Sequence, residues 1–256
     1  MDAWRPFRTK NAVWYRWRLN GAAAYVRRDR DAWQVAFQTA LLRDRSEGFG
    51  GPDADAPPPG DLPVARAWGD GDSAFLHPYL SPTPYVLRAA EGLRLAPGRQ
   101  CRVAADLPPL LKLELAQGKA LAEESPFSMP RTFCGPDTMS GEICHSLPMD
   151  SAGPDSAAAQ APSAFVRCDI LVRNNTGAVL DASRIIVRPE PLSVYLHQGR
   201  LVTDTLELDY AEADCEPRAA KSSSRHYHLV SAGVRYSAGE SFARRSMGII
   251  KDIASI

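Results

Sequence analysis

His226-Tyr227-His228 brings two metal-capable histidines within two residues of each other in the 256-residue chain. In an extended segment His226 and His228 project to one side. Such a pair binds zinc, copper or nickel once a third ligand converges. His197, or one of Asp204, Glu207 and Asp209, is the group that the fold would have to bring up. A solvated edge-strand pair beside the serine-rich run 221–225 accounts for the same spacing, since two-ligand matches have a high background. A second candidate is Cys134, Cys144, His145 and Cys168. Structural zinc sites bring their sulfurs as close pairs such as Cys-x-x-Cys, which this set lacks. Cys144 and His145 are adjacent and face opposite ways if extended. Buried free cysteines behave as small hydrophobes.

The acids of LVTDTLELDYAEADCEP, residues 201–217, also divide by alternation. Asp204, Leu206 and Leu208 share one side of a strand, and Thr205, Glu207 and Asp209 the other. Glu207 and Asp209 have the separation of a glycosidase carboxyl pair, as any such neighbours on a strand face do. The bland alternative is a wet sheet face on which both pair with arginines. The stretch VWYRWRL, residues 13–19, interleaves rings with cations. As a strand it places Val13, Tyr15, Trp17 and Leu19 toward a core and Trp14, Arg16 and Arg18 outward. A nucleic-acid platform needs several outward aromatics along a basic groove. Only Trp14 qualifies, so an amphipathic strand is the expected reading.

Composition sets the background. Lysine plus arginine equals aspartate plus glutamate, 30 against 30, so no global field selects polyanions. Locally, residues 1–45 hold ten bases and four acids, whereas 201–217 hold six acids and no base. Five scattered cysteines do not make a secreted disulfide framework. The first residues lack the apolar run of a signal peptide, and no window approaches a membrane span. The expected location is cytoplasmic, with reduced thiols. The Asn174-Asn175-Thr176 sequon is then empty.

The elements that must position these groups read as strands. Short runs rich in Val, Ile, Tyr and Thr, such as YVLRA (85–89), LLKLEL (110–115), FVRCDILVRN (165–174) and RIIVR (184–188), are bounded by Gly, Pro or Asn. Helical spacing is confined to 32–45, where 32–38 reads equally as strand, to ALAEE (120–124) and to the tail 246–256. The fold class expected is all-β with minor helix, in two antiparallel β-sandwich-like lobes. They are an N-terminal lobe (1–148) containing a Gly/Pro/Asp loop at 48–61, a linker (149–163), and a C-terminal lobe (164–256) with a basic tail.

Three segments carry a family resemblance: LAPGRQCRVAADLPPLLKLEL, FSMPRTFCGPDTMSGEICHS and VRCDILVRNNTGAVLDASRIIVRPEPLSVYL. In this order, over roughly residues 83–210, the chain resembles a family of archaeal and bacterial proteins, domain of unknown function 432. Phe133-Cys134-Gly135-Pro136 and Gly141-Glu142-Ile143-Cys144 stand at its aromatic-Gly-Pro and Gly-x-Ile-Cys steps. Arg131-Thr132-Phe133 departs from the lysine-tyrosine pair found there. The resemblance implies architecture and assigns no activity. The expected function is a non-enzymatic interaction or ligand-binding module whose partner is a protein or small ligand, with a homodimer through a sheet edge compatible. No cofactor is expected, and a divalent transition metal enters only if the histidines converge. The alternative is a metal-dependent or carbohydrate-active enzyme using His226, His228 and the acids of 204–209. A third reading, nucleic-acid binding through Trp14, Arg16 and Arg18, is disfavoured by the charge balance.

Overall fold

A computed structural model describes residues 3–42, 48–115, 118, 120–135, 141–149, 163–211, 214–220 and 227–233, with 214–220 described through strand pairing alone. All regular elements among them are strands, and no helix is long and apolar enough to cross a membrane. The alternation of VWYRWRL organises the first sheet. In Trp14–Leu19 the residues Tyr15, Trp17 and Leu19 are buried, while Trp14, Arg16 and Arg18 stay partly exposed. The strand turns back on Ala22–Asp29 through Asn20 and Gly21, both at positive φ (52° and 99°). Asn-Gly is the pair that a tight hairpin of matching twist demands. The sheet runs Phe49–Ala54, Trp14–Leu19, Ala22–Asp29, Ala32–Gln38, Ala65–Trp68.

The structure corrects two expectations. Within the loop expected at 48–61, residues Phe49–Ala54 form an edge strand on Trp14–Leu19. Edges tolerate Gly and Pro, and at Gly51 (φ +122°) a Cβ would meet Arg16 O at 2.7 Å and Trp17 Cα at 2.9 Å. The helical options at 32–45 and 120–124 give way to the strands Ala32–Gln38 and Ala120–Glu124. A five-residue helix cannot offset its own nucleation, whereas Leu110–Leu115 offers Ala120–Glu124 a ready ladder.

The largest sheet is built around Val166–Asn174. Gln100–Leu107 fills one edge antiparallel over eight residue pairs. Arg200–Thr203 and Thr205–Ala211 fill the other edge in parallel. These two are one bent run interrupted at Asp204, whose buried carboxylate accepts from Ser193 N (2.8 Å) and the Tyr195 hydroxyl (3.0 Å). Strands from both sides of 149–163 share sheets: besides the central ladder, Tyr85–Ala89 pairs with Arg184–Val187 and Arg94–Leu95 with Leu180–Asp181. One buried cluster joins Trp17, Leu76 and Leu107 to Ile170, Val187 and Leu206. Most pairs are antiparallel, but Glu142–Met149 also runs parallel to Tyr85–Ala89.

Asn174 closes the central strand and is 0% exposed. Its Nδ2 donates to Leu95 O and Ala178 O, both at 2.8 Å, and its Oδ1 accepts from Thr176 N (3.0 Å) and Thr176 Oγ1 (2.7 Å). The sequon amide is thus consumed inside the fold. Asn174→Asp would take the Nδ2 donor from both carbonyls and set a carboxylate beside them. We expect a loss of at least about 3 kcal/mol, read as a lower denaturation midpoint. Trp17, fully buried, donates Nε1 to Ala3 O (3.1 Å) and meets the Phe7 ring edge-on at 5.1 Å. Trp17→Ala should cost about 3–5 kcal/mol in the same assay, whereas removing outward Arg16 should cost about 1 kcal/mol or less.

Candidate functional site

Each sequence-selected group has a definite place. On the face opposite Trp17, Arg18 Nε donates to Asp53 (3.1 Å), and Arg16 lies 3.8 Å from the same carboxylate. Trp14 packs with Leu62 against Ala23, Tyr25 and Ala36. Its ring is therefore part of a small apolar cluster. Arg173 Nη1 bridges Glu207 (2.9 Å) and Asp209 (3.0 Å) on the wet face of the central sheet, while Leu206 and Leu208 enter the core. His197 stacks on Tyr227, centroids 4.3 Å apart and ring planes nearly parallel. His228 pairs with Leu196, one residue earlier, so alternation puts His197 and His228 on opposite faces. His226 lies outside the described residues. Among the described residues no three His, Cys, Asp or Glu side chains are grouped to hold a metal.

The cysteine–histidine set is divided by the same rule. Arg131–Cys134 pairs antiparallel with Glu142–Met149, placing Arg131 opposite His145, Phe133 opposite Ile143 and Cys134 opposite Glu142. Cys134 and Cys144 fall on the outer face with Val86 and Ile186. Cys168 is in the central core. On that outer face Arg188 grips Glu142 with both guanidinium ends, and Arg184 Nη2 donates to Cys134 Sγ at 3.1 Å. The Cys144 thiol hydrogen-bonds to Cys134, which together with Arg184 lowers the Cys134 thiol to about 6, against the push of burial. Cys144, left holding the shared proton, is pushed up.

The other face of the same two strands opens onto a cleft of about 600 Å³. Arg131, Ile143 and His145 come from the hairpin. Ser81 and Thr83 come from the approach to Tyr85–Ala89, Ser125, Phe127, Ser128 and Met129 from around Phe127–Ser128, and Thr39 and Leu110 from neighbouring strand starts. The parallel register sets His145 beside Tyr85, ring centroids 5.7 Å apart. The buried Tyr85 hydroxyl donates to Pro108 O (3.0 Å), tying the stretch before Leu110 to the strand Tyr85–Ala89. Burial, then the nearby Arg131 charge, lowers His145 below the ordinary histidine value of 6.5, so the ring is neutral at pH 7. Its Nδ1 is shut from solvent without a hydrogen-bond partner among the described residues, an arrangement that costs about 1–3 kcal/mol. Arg131 is exposed and has no ion pair among the described residues. Among the described residues the cleft lining contains one cation, one histidine, five hydroxyls and no carboxylate.

Sequence reasoning weighed His145 only as a zinc ligand and met Arg131 only as a departure from a family motif. The signal that could have found them was alternation in RTFC and EICH, read as the two arms of one hairpin. The outer-face chemistry makes a spectroscopic prediction. Thiolate absorbance at 240 nm should titrate near pH 6 in the folded protein. That step should vanish in Cys134→Ser and move upward in Arg184→Gln.

No curated protein and no solved structure matches the chain in sequence comparison. Residues 3–232 match the family described as Protein of unknown function (DUF432), well beyond the stretch on which the motifs alone carried the likeness. With its hairpin steps and central ladder inside that span, the chain belongs to the DUF432 family.

Proposed function

We propose that this protein is a non-enzymatic ligand-binding module and that the cleft over the Arg131–His145 pair binds a small oxyanion. The observation that carries the reading is the composition of the lining: an arginine without a carboxylate partner among the described residues, in company with five hydroxyls and with no acid among the described lining residues. A guanidinium offers a fork of donors that fits carboxylate or phosphate, and charge-assisted bonds of this kind are about twice as strong as neutral ones.

The lining suits holding better than transforming. A hydroxyl nucleophile requires a base within hydrogen-bond reach. Here Ser125 Oγ donates to Phe127 O (3.1 Å) and Ser81 Oγ accepts from Thr83 N (3.1 Å), so both are committed to backbone. The acids considered for catalysis are likewise engaged, Asp204 with Ser193 and Tyr195, and Glu207 and Asp209 with Arg173.

Isothermal titration of the full chain with inorganic phosphate and with acetate at low salt tests the reading. Saturable binding is expected, weakened at least about tenfold by Arg131→Gln, equivalent to about 1.4 kcal/mol. Absence of binding by either anion, or affinity unchanged in that variant, would refute it.

A further inference from the structure

The cleft's Arg131–His145 pair has an apolar pair beside it. Arg131 faces His145 across the hairpin, and two residues along each strand, on the same side, Phe133 faces Ile143. Two residues of strand advance about 6.6 Å, so a charged patch and a greasy patch lie side by side within the span of one small molecule. Phe133 is 43% exposed and Ile143 59% exposed. Large apolar side chains grouped at the surface next to a cavity mark a place where apolar ligand surface is taken up. Inside the cleft Leu110, Phe127 and Met129 also line the wall alongside the hydroxyls.

We infer that the ligand is an amphiphilic anion, a carboxylate or phosphate head joined to an apolar arm, with the head on Arg131 and His145 and the arm lying over Ile143 and Phe133. This rests on the oxyanion reading of the cleft and narrows it to a chemical class. A purely polar anion would leave the Phe133–Ile143 pair in water. An uncharged hydrocarbon would bury the Arg131 guanidinium without a counter-charge, which is costly. A molecule carrying both parts meets both patches at once. Each methylene moved from water onto the apolar pair should raise affinity about fourfold.

The experiment compares acetate, octanoate, inorganic phosphate and octyl phosphate by calorimetric titration of the full chain, each amphiphile below its aggregation concentration. Octanoate is expected to bind at least about tenfold more tightly than acetate, and octyl phosphate more tightly than inorganic phosphate. In the double variant Phe133→Ser/Ile143→Ser that advantage should vanish, with octanoate binding no more tightly than acetate and octyl phosphate no more tightly than inorganic phosphate; both side chains are already largely solvent-exposed, so the variant should fold. Arg131→Gln should weaken all four anions. If acetate and phosphate bind but the octyl compounds bind no better, the amphiphile inference is wrong and the oxyanion cleft stands. The inference fails in the same way if the double variant binds octanoate as tightly as the parent. If none of the four binds, the oxyanion reading falls and takes this inference with it.

Discussion

The ladder on both edges of Val166–Asn174 is the constraint on which the rest of the architecture depends. A strand flanked on each side has its N–H and C=O groups satisfied without water, so it can be buried on its apolar face. That face presents Val166, Cys168, Ile170 and Val172 to the main core. Gln100–Leu107 comes from far upstream, and the bent 200–211 run from just downstream. Closing the upstream pairing costs loop entropy before any ladder bond repays it. Contacts of this range are the ones that set the pace of folding in β proteins.

Polar groups terminate and bend this ladder. Asn174 uses both amide hydrogens and its carbonyl oxygen to hold the turn after the strand. Asp204 breaks the adjoining run and gathers a backbone N–H and a tyrosine hydroxyl. On the outward face, buried Arg167 and Arg200 both lean on Asp106, at 3.5 and 3.3 Å. Burial lowers the Arg200 pKa, and the Asp106 carboxylate works against that shift. Arg167 also lies 3.7 Å from Asp169, so two carboxylates stand beside the two buried arginines.

The cleft and the thiol pair are products of one hairpin. Alternation sends Arg131, Phe133, Ile143 and His145 to one side and Cys134, Glu142 and Cys144 to the other. What each side can do then depends on its neighbours. Arg184 and Arg188 arrive from an antiparallel strand and the residue after it, and place positive charge over the cysteines and Glu142. Tyr85 arrives from a parallel strand and sets the environment of His145. The dielectric and charge around each group, rather than its identity, separate a lowered thiol from a raised one.

Much of this architecture was legible in the order of residues. The two-residue rhythm of Trp14–Leu19, of Leu206 and Leu208 against Glu207 and Asp209, and of the other apolar runs identified strands and their buried sides, because alternation is a local property of extended backbone. Family membership was legible too, since it resides in motif order. What local pattern could not carry was partnership. Whether ALAEE is helix or strand depends on Leu110–Leu115 being free to pair, and whether GFGGP is loop or edge depends on how closely the Arg16 backbone approaches. The separation of His197 from His228, and the meeting of Arg131 with His145 over a cleft, are matters of register between segments. Register is decided by which distant strands satisfy one another's backbone, so it belonged to the tertiary structure alone.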